Sequence, residues 1–285
     1  MQLLIITLCS FLSCLKVTIQ GNLAKGNIKN TTDSVLANCL VFASTAVLFS
    51  ISARGGINTG VIFYALAFGI LSASFQIFYA LALKSGPFSA TCMLVNLSMV
   101  IPVVFSVVFI NEKLTIVKIL GVILCLSALF LNTHKDGKKF NFKWLFYVFM
   151  AFSSTGGISV TQKMFAKSQF AGDVTQFVFL GYLIAFLVTF ILVFVQKGMK
   201  LERNFKINKK NLILVFSIAG SLGLFQYFST YANSFIDAIV LSPSISGLAT
   251  MFQMFSARII FKEKFTVKQI CSICIGIAAI IMISI

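Results

Sequence analysis

The sequence predicts an all-α integral membrane protein with ten transmembrane helices, arranged as two inverted repeats of five helices each. Composition is the first reason, since 59% of the 285 residues are hydrophobic and only 11% are charged. Soluble proteins contain roughly 45–50% apolar and about 25% charged residues, and a core in water cannot absorb such an excess. A bundle of spanning helices needs it, because lipid cannot satisfy backbone polar groups. The other two reasons are ten apolar runs and an internal repeat.

Each of the ten apolar runs has the length of a spanning helix, about 20 residues. The predicted spans are 2–20, 34–52, 57–83, 88–110, 115–131, 144–162, 174–196, 211–233, 238–261 and 266–285. The first run lacks the basic start and small-residue cleavage site of a signal peptide, so it is predicted to span the membrane. We therefore expect a multi-pass protein of the cell membrane, either plasma or inner.

Three short patterns from the first half of the chain return in the second half in the same order. Residues 111–115 (Asn-Glu-Lys-Leu-Thr) return as 262–266 (Lys-Glu-Lys-Phe-Thr), 75–78 as 225–228, and 20–25 as 162–167. The displacements are 151, 150 and 142 residues, with the difference absorbed by a longer basic loop near residues 197–210, and such self-similarity indicates a repeated structural unit. The chain is thus predicted to contain two units, residues 1–135 and 140–285.

The number of spans in each unit determines how the two units are oriented. With five spans, the second unit enters the membrane from the side opposite to the first, so the units are inverted. Many secondary transporters are built from inverted repeats, which alternate access to a site near the middle of the membrane. The repeat therefore favours transport as the function.

The stretch from Ser85 to Leu131 resembles a known family of membrane proteins. It reads Ser-Gly-Pro, an apolar helix with Pro102, the turn Asn-Glu-Lys-Leu-Thr, and a helix that opens near Gly121. This pattern, and its partial copy at residues 263–266, is similar to the repeat of the drug/metabolite transporter superfamily, in its ten-helix EamA group. The resemblance covers nearly the whole chain.

That resemblance implies a bundle of five plus five helices that exports or imports small organic metabolites such as amino acids. It does not specify the solute, since the superfamily also moves sugars, nucleotide sugars, drugs and lipid-linked groups. A flippase or translocase for a lipid-linked or sugar-type substrate is therefore the alternative within transport. The second repeat also departs from the first, because Gln253 stands where the first has Pro102.

Polar side chains inside spans are costly and tend to face the interior of the bundle. Ser and Thr there can serve helix packing alone, whereas the larger side chains are candidates for solute contact. Gln76 and Gln226 stand out because they are related by the repeat, and replacement of either is expected to weaken transport. The predicted substrate-binding residues are Lys16, Gln20, Gln76, Tyr79, Asn96, Gln162, Gln226, Thr230 and Gln253.

Lys16 is the candidate with the clearest chemistry. A lysine at the centre of a spanning helix costs about 2.5–3.5 kcal/mol, and Lys16 shares a helical face with Ser13 and Gln20. No carboxylate stands within a predicted span to pair with it, so a carboxylate of the solute is the predicted partner. The alternative is that Lys16 extends its ammonium to the membrane surface.

Other functional classes find little support in the sequence. An intramembrane enzyme needs paired acids, a Ser–His or Ser–Lys pair, or a cluster of metal ligands within its spans, and none is evident. Neither a catalytic residue, a metal site nor a cofactor is predicted. The sequence has a net charge of +16, but its basic residues do not form the basic face with stacking aromatics that nucleic-acid binding uses. The expected partners are the lipid bilayer and a small-molecule substrate; a coupling ion and homo-oligomers are left open.

Charge and family resemblance disagree about which way the protein faces. Sixteen of the 23 lysines and arginines fall in or beside the odd-numbered loops and five, including Lys163, in or beside the even-numbered loops. The positive-inside rule then puts both termini outside the cell. The resemblance implies that both termini are cytoplasmic.

Overall fold

The computed structural model is helical throughout the described parts of the chain. It describes residues 2–50, 58–112, 115–131, 142–198, 205 and 208–262, together with 271, 274, 275, 278, 279 and 282. The helices are α1 (Gln2–Asn27), α2 (Thr31–Ser50), α3 (Thr59–Ser85), α4 (Phe88–Asn96), α5 (Val100–Phe109), α6 (Ile116–Leu131), α7 (Phe142–Ala166), α8 (Val174–Gly198), α9 (Lys209–Ala232) and α10 (Ala238–Ile259).

Eight helices within the described residues are long and apolar enough to cross a membrane, counting α4 and α5 together as one. This confirms the predicted all-helical, multi-pass membrane architecture. Helix α6 has 16 residues, fewer than the usual span, and most of the predicted span 266–285 lies outside the described residues. The count of ten therefore stays a prediction.

Two helices extend well beyond their predicted spans. The sequence ended the first span at Gln20 because polar residues follow, yet α1 continues to Asn27 and buries Leu23 and Ala24. Likewise, α7 continues past residue 162 to Ala166 and buries Lys163. Helix length is set here by packing against neighbouring helices, which a hydropathy window does not detect.

The predicted span 88–110 is broken near its middle. Helix α4 ends at Asn96, a 3-10 turn covers Leu97–Met99, and α5 begins at Val100. Pro102 has no N–H and cannot donate to the carbonyl of Ser98 four residues earlier, so the regular α-helical pattern is interrupted there.

Packing between the two halves of the chain forms the centre of the bundle. Helix α3 packs against α7 and α8, α2 packs against α8 and α9, and α1 packs against α9 and α10. Close approach depends on small residues, as is usual between membrane helices. At the α3–α8 contact, a Cβ atom on Gly69 would lie 2.6 Å from the carbonyl oxygen of Gly181.

Aromatic side chains occupy both the interior and the periphery of the bundle. Phe68 lies in the core, 4.9 Å from Phe177 and 5.6 Å from Tyr182 between ring centroids. On the outside, Phe63 and Phe109 are among many exposed large apolar side chains. An apolar exterior is unfavourable in water and suits contact with lipid.

Candidate functional site: a central polar cavity

A cavity lies between α1, α3, α4, α7, α9 and α10, and the 3-10 turn also lines it. It offers about 90 Å³ to the centres of water molecules, and a single water needs roughly 10–15 Å³ measured this way. The cavity can therefore hold several waters or a small solute. Its lining includes Lys16 on α1 and Val95 on α4. It also includes Asn233 and Leu241, which flank the corner between α9 and α10.

The structure brings most of the predicted binding residues to this cavity. Six of the nine line it: Lys16, Tyr79, Asn96, Gln162, Gln226 and Gln253. Of the other three, Thr230 accepts a hydrogen bond from Gln162, and Gln20 donates one to the backbone oxygen of Gln76. The side chain of Gln76 is buried and is not part of the cavity lining.

Lys16 lies between two phenylalanines that the internal repeat relates to each other. Its Nζ atom is 5.1 Å from the ring centroid of Phe75 and 5.3 Å from that of Phe225. The lysine is only 4% exposed, and its ammonium makes no hydrogen bond or ion pair with any residue that the structure describes. Ring faces attract cations, but they leave the donor capacity of the ammonium unused.

The glutamines of the two halves occupy related positions, but their side chains are hydrogen-bonded to each other only in the second half. In the second half, Gln162 Nε2 donates to Gln226 Oε1 at 2.8 Å and to Thr230 Oγ1 at 2.8 Å. In the first half, Gln20 Nε2 reaches only the backbone oxygen of Gln76, at 3.5 Å. Among the described residues, the side-chain oxygen of Gln20 and both polar atoms of the Gln76 amide have no partner.

A third polar group joins α4 to α10 across the cavity. Asn96 Nδ2 donates to Thr250 Oγ1 at 2.8 Å and to Gln253 Oε1 at 2.9 Å. Asn96 Oδ1 and Gln253 Nε2 have no hydrogen-bond partner in the described part of the chain. One acceptor and one donor therefore remain for a solute.

Sequence reasoning missed part of the lining. Hydroxyl groups treated as packing residues face the cavity, among them Ser13, Ser98, Thr155, Ser159, Ser229, Ser242 and Ser246. Phe75 and Phe225 were missed because phenylalanine is abundant and mostly contacts lipid. Their place beside Gln76 and Gln226 in the repeated pattern was the available signal.

The largest correction concerns Lys163, which pairs with Glu112. Lys163 was counted as a loop charge, but it lies inside α7, and its Nζ is 2.7 Å from Glu112 Oε1. The carboxylate also accepts the backbone N–H groups of Ala238 and Ile239, at 3.2 and 3.3 Å. Glu112 therefore stabilises the N-terminus of α10, where the helix dipole favours an anion, rather than that of the following helix α6.

Comparison with known proteins follows the same division of the chain. The family described as the EamA-like transporter family matches residues 4–133 and again residues 142–285. A solved structure, named only as the crystal structure of a protein, has a TM-score of 0.72 and 16% sequence identity, and the match covers 97% of this chain and 95% of that one. At that identity it supports the fold alone. No curated protein matches the chain at a significant level.

Proposed function

The chain belongs to the EamA-like transporter family, and we propose that it is a secondary transporter for small metabolites that carry a carboxylate, amino acids among them. The two halves would act as inverted repeats and expose the central cavity to one side of the membrane at a time. Members of this family are membrane transporters of small molecules rather than enzymes.

The observation that carries the proposal is the position of Lys16. A buried ammonium is stable only with acceptors or a counter-charge. In the described residues Lys16 faces the rings of Phe75 and Phe225 and has no carboxylate beside it. The cavity lining contains no carboxylate among the described residues. A solute carboxylate would supply both the charge and the hydrogen-bond acceptors.

Other polar groups of the cavity lining suit the rest of such a solute. Asn96 Oδ1 can accept a hydrogen bond from a solute ammonium or hydroxyl, and Gln253 Nε2 can donate one. The hydroxyl-bearing side chains of the lining offer further contacts for small polar groups. The arrangement therefore supports an amino acid or a hydroxy acid, bound between Lys16 on α1 and the Asn96–Gln253 pair.

The contacts between helices support the inverted-repeat mechanism. If α1, α2 and α3 correspond to α7, α8 and α9, as the sequence repeat predicts, the α3–α7 contact corresponds to α1–α9. In the same way, the α3–α8 contact corresponds to α2–α9, and both contacts of each pair are present. A bundle with this pairing can exchange two equivalent states of opposite orientation.

The test is transport into liposomes, with radiolabelled amino acids and short hydroxy acids and imposed proton or sodium gradients. Lys16→Met is expected to lower the affinity for the carboxylate about 10- to 150-fold, since a hydrogen bond to a charged group contributes about 1.5–3 kcal/mol. Lys16→Arg keeps the charge and should retain part of the transport.

Two controls accompany this experiment. Equal membrane levels and equal thermal stability of the variants separate a binding defect from misfolding. Transport by Lys16→Met at the parental rate would show that the lysine does not hold the solute, and absence of transport for every carboxylate tested would refute the proposed class of substrate.

A further inference from the structure

The Glu112–Lys163 ion pair lies at one end of the cavity. Lys163 directly follows Gln162, which lines the cavity, and its Nζ donates to the backbone oxygens of Ile236 at 3.0 Å and Asn233 at 3.5 Å. Asn233 is itself a lining residue at the corner between α9 and α10. The pair therefore fastens the end of α7 to this corner.

The contact crosses between the two halves of the chain. Glu112 lies in the first family match, whereas Lys163 and the N-terminal turn of α10 lie in the second. Ala238 and Ile239 donate to the carboxylate, and Leu241 and Ser242, in the next turn of α10, line the cavity. A movement of α10 alone would break two contacts of Glu112, and a movement of α7 together with α10 would break all three.

Because both side chains are buried, the ion pair is expected to be either fully formed or fully broken. The side chains of Lys163 and Glu112 are 1% and 5% exposed. Breaking a buried pair by removing one partner typically leaves the other charge uncompensated, which is strongly destabilising. The pair is therefore either closed and dry, or open with both charges in water.

The other end of the cavity is closed differently. Phe261, just after α10, stacks on Phe88 at the start of α4 with ring centroids 4.3 Å apart, and Lys25 Nζ lies 4.3 Å from the centroid of Phe261. Gly21 has the repeat position of Lys163, and a Cβ there would lie 2.9 Å from both Phe rings. Stacked aromatic rings thus stand at this end where the Glu112–Lys163 ion pair stands at the α9–α10 corner.

We propose that Glu112 and Lys163 form a latch that closes the cavity at the α9–α10 corner and opens when solute passes to that side. This inference rests on the proposed function, since a latch matters only if solute crosses the cavity. Opening exposes both charges to water, so the open state becomes accessible when water or a charged solute enters from that side.

The test uses Ser242→Cys as a reporter, in a protein whose seven native cysteines are replaced by serine or alanine. A membrane-impermeant thiol reagent is added to the side on which Glu112 lies. The double variant Glu112→Gln/Lys163→Met leaves no unpaired charge and keeps the approximate size of both side chains. The backbone oxygens of Asn233 and Ile236 lose the donor that Lys163 supplies in the closed state. The labelling rate is therefore expected to rise about tenfold, the factor by which a loss of about 1.4 kcal/mol shifts the equilibrium.

Two further variants keep the test decisive. Lys163→Arg retains the pairing and should be labelled as slowly as the parent. Ala238→Pro removes one N–H donor to Glu112 at the first position of α10, where proline is tolerated. It should also raise the labelling rate, and it serves as the test if the double variant does not fold.

The outcomes separate the latch from the transport proposal. Unchanged labelling in the folded double variant, or in Ala238→Pro where only that variant folds, would overturn the latch, even if Lys16-dependent transport is observed. Faster labelling in a protein that transports no carboxylate would leave the latch standing as a gate and refute the proposed substrate.

Discussion

Replacing Gly69 with alanine tests whether the contact between α3 and α8 sets the stability of the bundle. The added Cβ would lie 2.6 Å from Gly181 O and 2.8 Å from Ile184 Cβ. Gly181 O belongs to the backbone, so no change of rotamer can relieve the clash. The oxygen must move to the 3.4 Å of ordinary contact, which separates the two helices by about 0.8 Å.

This separation has a predictable cost. Inserting a methyl group into a well-packed interior destabilises a protein by about 1–3 kcal/mol. On the scale of domains of 150–250 residues, 1 kcal/mol shifts the melting temperature by about 2–4 °C, so the melting temperature of Gly69→Ala is expected to lie about 2–12 °C below that of a control with the same Gly→Ala change and no clash. Gly220→Ala in α9 is the matched control, because no atom lies within 4 Å of the place that its Cβ would take. It gains the same helix propensity, about 1 kcal/mol, without the clash.

The assay is thermal unfolding of the purified protein in detergent, followed by tryptophan fluorescence. Trp144 is the only tryptophan, and it is buried with its Nε1 donating to Thr91 Oγ1 on α4 at 3.0 Å. Its emission therefore reports on the packing of α7 against α4. Equal melting temperatures for the Gly69→Ala and Gly220→Ala variants would refute the reasoning, since the two substitutions differ only in what the new methyl group meets.

The remaining predictions concern the glutamines and the orientation of the chain. Gln226→Leu should lower transport roughly two- to tenfold, the value of one hydrogen bond of about 0.5–1.5 kcal/mol, because Gln162 loses its acceptor. The sequence predicted the same for Gln76, but the Gln76 amide has no partner among the described residues and does not line the cavity, so Gln76→Leu should leave transport nearly unchanged. Equal effects in both variants would contradict this distinction. Cysteines at Gly26 and Gly172, where a side chain meets no atom within 4 Å, are expected at opposite membrane faces if the ten-span inverted arrangement holds. The positive-inside rule predicts that an impermeant reagent outside the cell labels only Gly172→Cys, and labelling of Gly26→Cys would contradict it.

Much of the fold was predictable because a bilayer imposes length and composition on each helix. The spans found by length agree with the observed helices to within a few residues, except where α1 and α7 continue through polar residues. Lys163 shows why those ends were missed. Its charge suggested a loop, but the structure neutralises it with Glu112, a residue far away in sequence whose proximity no local pattern encodes.

The site was predicted less completely, for a different physical reason. Large polar residues inside spans can be recognised one at a time by their cost in lipid, which identified Lys16, Asn96 and Gln253. The hydroxyls and phenylalanines of the cavity have no such cost, because serine can bond to its own helix and phenylalanine is equally suited to lipid. Only the three-dimensional arrangement decides whether they face a cavity.

The positions where the two repeats differ coincide with the features that carry the proposed function. Lys16 has Ile158 as its counterpart, and both line the cavity. Only the first repeat therefore supplies a cation at this position, and an anion bound to it lies nearer to that repeat. Lys163 has Gly21 as its counterpart, so one end of the cavity is closed by an ion pair and the other by stacked rings. Two ends with identical closures would open with equal ease, and a solute would face the same barrier on both sides. Because an ion pair and an aromatic stack respond differently to water, salt and a charged solute, the broken symmetry gives each side of the membrane its own condition for opening.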